Sequence, residues 1–519
     1  MNIYRSFATV SGYTAISRVL GFVRDMLTAA VLGTGPAADA FFVAFRLPNL
    51  FRSLFAEGAF NSAFVPLFTK NLQAEGRGAA RGFAEEALAV LLGALLVATI
   101  LAEIFMPQLV KLIAPGFQDN PEKFDLAVLL TRITFPYLLC MSLTALAAGI
   151  LNAFGRFAAA AAAPIILNVV LGTAMAIAAA IGLYHRPEAA MMISWAVTIS
   201  GFGQLAWVAM ALRPAGMDLS FRWPKLTPGM KRLFILAVPG VVTAGITQIN
   251  LFIGTMIASM SESAVSYLYY ADRINQLPLG IVGIAIGVVL LPELTQKLNS
   301  GNAQAAMYSH NRSLEFALLL TLPAAVALMV VPGPIIQVLF ERGAFKQTDT
   351  GAVSMALAAF AAGLPASVLI RVFLPGFFAR EDTRTPMKYA AASAAVNIAG
   401  SVSLFFVLGH VGIAVATSLA AWTNALLLGA TLLRRGHLVL DATAWRRSAA
   451  ITLASVIMGA ALWVAAIPLS RLFLPSNGLI VQTIALGVLV SGGGLVYLVA
   501  TQLTGAINYK TMLRSMARN

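Results

Sequence analysis

The chain has 519 residues, of which 59% are hydrophobic and 11% charged, where a soluble domain carries about 25% charged residues. That balance excludes a soluble enzyme, a secreted disulfide scaffold and a disordered chain, and leaves an all-α polytopic membrane protein. The net charge of +14 does not point to nucleic acid, because Lys and Arg recur in short clusters between apolar runs, the positive-inside pattern of membrane proteins.

Fourteen apolar segments follow one another, near 8–32, 37–66, 86–110, 126–153, 158–184, 189–212, 233–259, 264–295, 313–339, 350–378, 389–408, 411–433, 448–469 and 478–504. A spanning helix needs about 20 such residues. The first two segments are poor by hydropathy, since they carry Arg18, Arg24, Asp25, Asp39, Arg46, Arg52 and Glu57. Arg18 and Arg24 also interrupt the first run, which therefore does not read as a cleaved signal peptide. Both segments count as spans, because a cytoplasmic N-terminus and strict alternation then place 22 Lys and Arg on cytoplasmic loops and 6, Lys111 and Lys123 among them, on the other side. This bias sets the orientation, and both termini are expected in the cytoplasm. The longest loop, near 213–232, holds Pro214, Pro224 and Pro228 and reads as a linker.

The two sides of that linker resemble each other. Phe64–Thr69 with Pro66 matches Leu290–Thr295 with Pro292 at an offset of 226, and Pro136 and Asn168 recur as Pro365 and Asn397 at an offset of 229. Common order at a near-constant offset predicts a duplicated unit of six spans, in parallel orientation. The expected organisation is an N-lobe over 1–225, a C-lobe over 226–440 and a C-terminal helix pair over 441–519.

Enzyme signatures are absent: no Gly-Lys dipeptide, so no P-loop, and no His-Glu-x-x-His. The four histidines are scattered, Asp119, Glu122 and Asp125 read as a solvated acidic loop, and no metal or cofactor is expected. Cys140, the single cysteine, cannot form an intrachain disulfide and reads as a small core residue. The informative feature is the charge in the first two spans. A cation at the centre of a spanning helix costs about 2.5–3.5 kcal/mol on insertion scales, so it faces a cavity, a partner or water. Arg18 and Asp25 share a helical face, as do Asp39 and Arg46, and Asn49 and Arg52 follow the kink expected at Pro48. Structural pairing, Arg46 with Asp39 or Arg24 with a neighbouring acid, is one reading. The other is a cationic cavity for an anion, since the guanidinium fork matches two phosphate oxygens.

Ser17-Arg18-Val19-Leu20-Gly21-Phe22-Val23-Arg24-Asp25, Ala38-Asp39-Ala40-Phe41, Arg46-Leu47-Pro48-Asn49-Leu50-Phe51-Arg52 and Glu57-Gly58-Ala59-Phe60 resemble the MurJ (MviN) lipid II flippases, members of the multidrug/oligosaccharidyl-lipid/polysaccharide exporter superfamily. Tyr270-Ala271-Asp272-Arg273 and Leu374-Pro375-Gly376-Phe377-Phe378 extend the likeness into the second half. The resemblance implies about fourteen transmembrane helices, two six-helix lobes plus a C-terminal pair that holds a long lipid tail. It implies movement of lipid II, an undecaprenyl-diphosphate-linked disaccharide-pentapeptide, from the inner to the outer leaflet of the bacterial inner membrane by alternating access. It carries essential cavity arginines onto Arg18, Arg24, Arg52 and Arg273, an essential acid onto Asp39, and cavity lining onto Ser17, Asn49 and Ser263. Gln276 departs from relatives that carry an acid there. Glu57 and Arg371 form a candidate gate pair. Alternatives are export of another polyprenyl-diphosphate-linked glycan, a drug/cation antiporter, which calls for an acid-dominated cavity, and a membrane enzyme acting on polyprenyl diphosphates, which calls for paired acids or an activated nucleophile.

Overall fold

Proline, glycine and polar clusters punctuate the apolar runs, and the helices end at them. The computed structural model describes residues 3–52, 61–474 and 476–506, with side chains described for all of these but 3–8, 51–52, 61–62, 239–247, 249–250 and 283–289. Every regular element among the described residues is helical. The first ten α-helices are α1 (Ile3–Leu32), α2 (Pro36–Arg52), α3 (Asn61–Ala74), α4 (Gly76–Ile104), α5 (Met106–Ile113), α6 (Pro121–Thr134), α7 (Tyr137–Ala153), α8 (Ala158–Ala180), α9 (Pro187–Leu212) and α10 (Pro228–Ala258). Then come α11 (Ala264–Asn299), α12 (Ala303–Val330), α13 (Pro332–Phe340), α14 (Gln347–Phe378), α15 (Arg384–Leu408), α16 (His410–Arg434), α17 (Ala442–Leu469) and α18 (Leu479–Leu503). Among the described residues, ten segments are long and apolar enough to cross a membrane; α1, α2, α10 and α11 are not among them. The chain is a multi-pass membrane protein. The contacts form two compact units, Met1–Ser266 with Arg342–Phe345, and Tyr267–Glu341 with Lys346–Asn519.

In unit 1, α1 packs on α8, α2 on α6, and α7 and α8 on α9. Close approach depends on small residues, as expected where lipid supplies no hydrophobic drive between helices. A Cβ on Gly201 of α9 would lie 2.7 Å from the Tyr137 ring and 3.1 Å from the Cys140 Cβ, so this glycine lets α9 close over α7 and seal Cys140, which is fully buried. Phe64 and Phe68 of α3 stack on each other, and Phe64 stacks on Phe83 of α4 with ring centroids 5.6 Å apart. α4 starts well before the apolar run that announces it, supported by an i,i+4 pair in which Arg81 Nε donates to Glu85 at 2.9 Å.

The proline-rich linker is not a loose strap. Glu85, fully buried, accepts from the Ser220 N–H at 3.0 Å and the Ser220 hydroxyl at 2.8 Å and pairs with Arg222 at 2.6 Å. Thr227 caps α10 by accepting from the Met230 N–H and donates to Glu86 at 2.8 Å. α10 is held at both ends: Gly229 lies against Phe83, and Gly116 approaches Ser259 so closely that a Cβ would sit 2.3 Å from its carbonyl oxygen. The expected acidic loop at 119–125 is also more ordered than it reads. Asn120 accepts from the Lys123 N–H, Pro121 opens α6, and Glu122 and Asp125 are already helical.

In unit 2, α14 and α15 pack on α16, and α12 on α14 and α17. A Cβ on Gly363 would clash with Ser418 at 2.5 Å, again a close helix crossing. An ionic knot joins α12 to α17. Arg312 bonds Glu315 at 2.5 Å and Asp441 at 2.9 Å, and Arg447 bonds Glu315 at 3.1 Å. Asp441 caps α17, and the Ala444 N–H that it accepts, with Arg312 beside it, holds its carboxyl below the ordinary range.

Candidate functional site

The charges of the first span build a polar ladder between α1 and α8. Arg24 donates from Nε and Nη2 to Asp25 Oδ1 at 3.2 and 2.8 Å, and from Nη1 to Asn168 Oδ1 at 3.0 Å. The Asn168 amide then donates to the Ser17 carbonyl at 2.9 Å and reaches the Ser17 hydroxyl at 3.4 Å. The amide is used at both ends, so its orientation is fixed by its partners. Gly21 gives room for it, since a Cβ there would touch the Asn168 side chain at 3.6 Å. Arg24 is 11% exposed. Arg18 differs: its side chain is exposed and makes no ion pair among the described residues. It stands midway along the thirty-residue α1. The shared face of Arg18 and Asp25 produces no pair, because Asp25 is buried against its neighbour Arg24.

Pro48 has no N–H for the Ala44 carbonyl one turn back. Thr134 of α6 supplies the missing donor, its hydroxyl lying 2.9 Å from the Ala44 oxygen, and Asn49 Nδ2 donates to the Phe45 carbonyl at 2.8 Å. The carbonyl that Pro48 leaves free in α2 is thereby satisfied from inside the protein, with Asn49 half-buried beside it. Arg52 closes α2, and its side chain lies outside those described.

Asp39 is fully buried. Lys123 Nζ lies 2.7 Å from Oδ2, and the Ser266 N–H donates to Oδ1 at 2.9 Å. Lys123, read from the sequence as an outer-loop cation, is itself buried and covers the Phe117 ring at 4.2 Å. The pairing of Asp39 with Arg46 is thus corrected: Arg46 Nη1 donates to Thr255 at 2.5 Å. In this structure both oxygens of Asp39 are engaged by protein, tying α2 to α6 and to the start of α11. Ser263 is buried in the turn before α11, with φ +59°, and its carbonyl accepts from Ser266.

The family model described as Lipid II flippase MurJ matches residues 28–481. The chain belongs to the MurJ family. The probable lipid II flippase MurJ of Rhizobium meliloti (strain 1021) is 52% identical over 507 residues, covering 95% of this chain and 94% of the relative. That of Rhizobium tropici is 49% identical over 523 residues, covering 100% and 97%. A solved structure of lipid II flippase MurJ in an inward closed conformation superposes with a TM-score of 0.79 at 25% identity, over 97% of this chain and 99% of that one. An inward-facing multidrug resistance MATE transporter of the MOP superfamily gives 0.68 at 15% identity, over 80% and 94%, and shows a shared fold.

Of the site residues expected from the sequence in unit 2, Arg273 is half-buried on α11, with its guanidinium 4.7 Å from the centre of the Tyr269 ring one turn earlier. The neighbouring Asp272 accepts from the Gln276 amide one turn later. Arg371 is half-buried in α14, while Glu57, its expected gate partner, lies outside the described residues. No group of three His, Cys, Asp or Glu among the described residues could hold a metal. Sequence reasoning missed Lys123, Thr134 and Glu85 as structural residues, and it used Asn168 only as a repeat marker. One signal was available: a proline within an apolar helix leaves a carbonyl that some hydroxyl or amide must satisfy.

Proposed function

We propose that this protein is a lipid II flippase of the bacterial inner membrane. It carries the undecaprenyl-diphosphate-linked disaccharide-pentapeptide from the inner to the outer leaflet by alternating access. Family membership supports the substrate class. The observation that carries the chemistry is Arg18, an exposed arginine at the middle of α1 without an ion pair among the described residues. Such a cation belongs against water or an anionic ligand, not against hydrocarbon. On this reading Arg18 holds the diphosphate with its bidentate fork. Arg24 is aimed by Asp25 and Asn168, Arg52 and Arg273 complete the cationic set, and Ser17, Asn49 and Ser263 line the path. Asp39 acts as a positioning residue through Lys123. Glu57 and Arg371 meet in one access state only. Release requires these contacts to weaken in the other state, because a ligand held equally in both shifts nothing.

The same reading takes all fourteen apolar segments as spans, with lobes 1–225 and 226–440, a helix pair 441–519, and both termini in the cytoplasm. Each segment overlaps a helix, and the repeat mates Asn168 and Asn397 are both buried polar residues that accept side-chain hydrogen bonds. The compact units divide at 266 rather than at 225; contacts define the first boundary and sequence recurrence the second. Cysteines introduced at Ser476 and Lys510 test the orientation: the first is expected to label from the periplasm and the second not, and the reverse result removes the topology.

Complementation, membrane abundance and lipid II binding are to be measured for Ala and Lys variants at Arg18, Arg24, Arg52 and Arg273. Ala is expected to abolish transport without removing protein from the membrane, and Lys to rescue partly, since it keeps charge but loses the fork. Normally abundant Ala variants that bind and move lipid II like the parent would overturn the mechanism.

A further inference from the structure

Unit 1 contains a second feature that the arginine site does not use. Between α4, the α6–α7 junction and α10 lies a cleft of about 480 Å³, within the range of about 300–1,000 Å³ typical of ligand sites. Its origin is the two-ended attachment of α10. Phe83 against Gly229 fixes one end, and Gly116 against Ser259 fixes the other. Along the described part of α10, up to Val238, alanines leave space between the larger side chains: Ala87, Ala94, Ala98 and Ala102 on α4, and Ala237 on α10. The slot follows α4 from Ala87 to Ala102, roughly 22 Å at 1.5 Å per residue. Its floor is buried and its rim exposed. Leu95, Leu233, Phe135 and Leu138 are nearly inaccessible, whereas Leu101, Phe105, Phe234 and Val238 are each about half exposed. Every lining residue among those described is apolar.

One end of the slot is charged. Lys231 follows the lining residue Met230 and stands seven residues before the rim residue Val238, on the same side of α10. Lys231 and Arg232 are exposed and make no ion pair among the described residues. The pinned linker places Lys225 and the exposed Trp223 just before α10, the aromatic and basic pairing typical of a headgroup layer.

We propose that this cleft binds one anionic phospholipid, with an acyl chain along the slot and the phosphate at Lys231. The occupant follows from the two halves of the site. A long, open slot whose described lining is apolar, on helices of a membrane protein, takes a hydrocarbon chain, and cations at one end, without ion pairs among the described residues, select an anionic headgroup over a zwitterionic one.

The test is lipid retention by the purified full-length protein, read by native mass spectrometry with equimolar phosphatidylglycerol and phosphatidylcholine of the same chains. The parent is expected to retain one lipid, with phosphatidylglycerol preferred. Ala98→Phe, which fills the slot, is expected to lose it. Lys231→Gln, an exposed change that leaves the fold alone, is expected to lower the preference about fivefold, the effect of one cation at an anionic headgroup layer. No retained lipid in the parent would overturn the proposal, as would unchanged selectivity in Lys231→Gln. Displacement of the retained phospholipid by one equivalent of undecaprenyl diphosphate would assign the slot to the substrate tail and overturn it too. Each outcome is independent of whether the arginine variants transport.

Discussion

Changing Asp39 to Asn removes one charge and almost nothing else. The new side chain keeps an acceptor for the Ser266 N–H, but Lys123, 7% exposed at its side chain and 2.7 Å away, loses its counter-charge. Removing one partner of a buried pair costs about 3–5 kcal/mol, because the remaining charge is stranded out of water. Lys123→Met strands Asp39 in the same way and also removes the cation over the Phe117 ring. The double variant Asp39→Asn/Lys123→Met strands no charge, and such exchanges are often close to neutral. The expected pattern is two severely destabilised single variants and a double variant near the parent, so the coupling is about 6 kcal/mol or more and the effects are far from additive. Thermal unfolding in detergent measures stability, and complementation with membrane abundance measures transport. If Asp39 positions α2, stability and transport return together in the double variant. A stable Asp39→Asn protein that cannot move lipid II would instead place the carboxylate on the substrate and refute the positioning argument. Single variants within about 1 kcal/mol of the parent would refute the buried pair.

Thr134→Val leaves the Ala44 carbonyl without its donor and is expected to cost about 1–3 kcal/mol; in a Pro48→Ala background the helix supplies its own N–H, the penalty shrinks, and equal costs in both backgrounds would dismiss the role of Thr134. Glu85→Gln weakens the hold on Ser220 and Arg222, so limited trypsin digestion is expected to cut at Arg222 or Lys225 many-fold faster, and an unchanged rate would show that the linker is fixed otherwise. The Thr385 N–H, then Arg435, draw the Asp382 carboxyl down to about 2. Its folded value lies below the ordinary 3.8, so its stabilisation is complete above about pH 5 and fades as pH falls from 4 toward 2. Asp382→Asn is therefore expected to lower the unfolding temperature at pH 7 but to converge with the parent as pH falls to about 2; a constant difference across that range would count against the assignment.

Helix class and the places where apolar helices run were readable because lipid imposes a single strong rule: long apolar segments become helices. The charged residues of α1 and α2 were readable as exceptions to that rule. Their partners were not, since pairing depends on which helices touch. Asp39 pairs with a lysine 84 residues away, and nothing in the local sequence separates Lys123 from a loop cation. The same limit explains Glu85. Beside Arg81 on a helix it reads as a surface i,i+4 pair, and only the return of the linker over α4 turns it into a buried anchor. Asn168 was visible as a polar residue in an apolar run, yet its function as the bridge from Ser17 to Arg24 depends on the α1–α8 contact.

Cys140 has a use that comes from its seal. Fully buried under Gly201, the chain's single sulfhydryl is protected from alkylating reagents as long as α7 and α9 stay together. Its modification rate is therefore a built-in clock for the opening of that interface, and the free energy of local opening can be read from it in intact membranes without any added probe. A slow, denaturant-accelerated reaction would time the parting of two apolar helices of a membrane protein, and a change in that rate when substrate is supplied would record transport from a residue that touches none of the cargo.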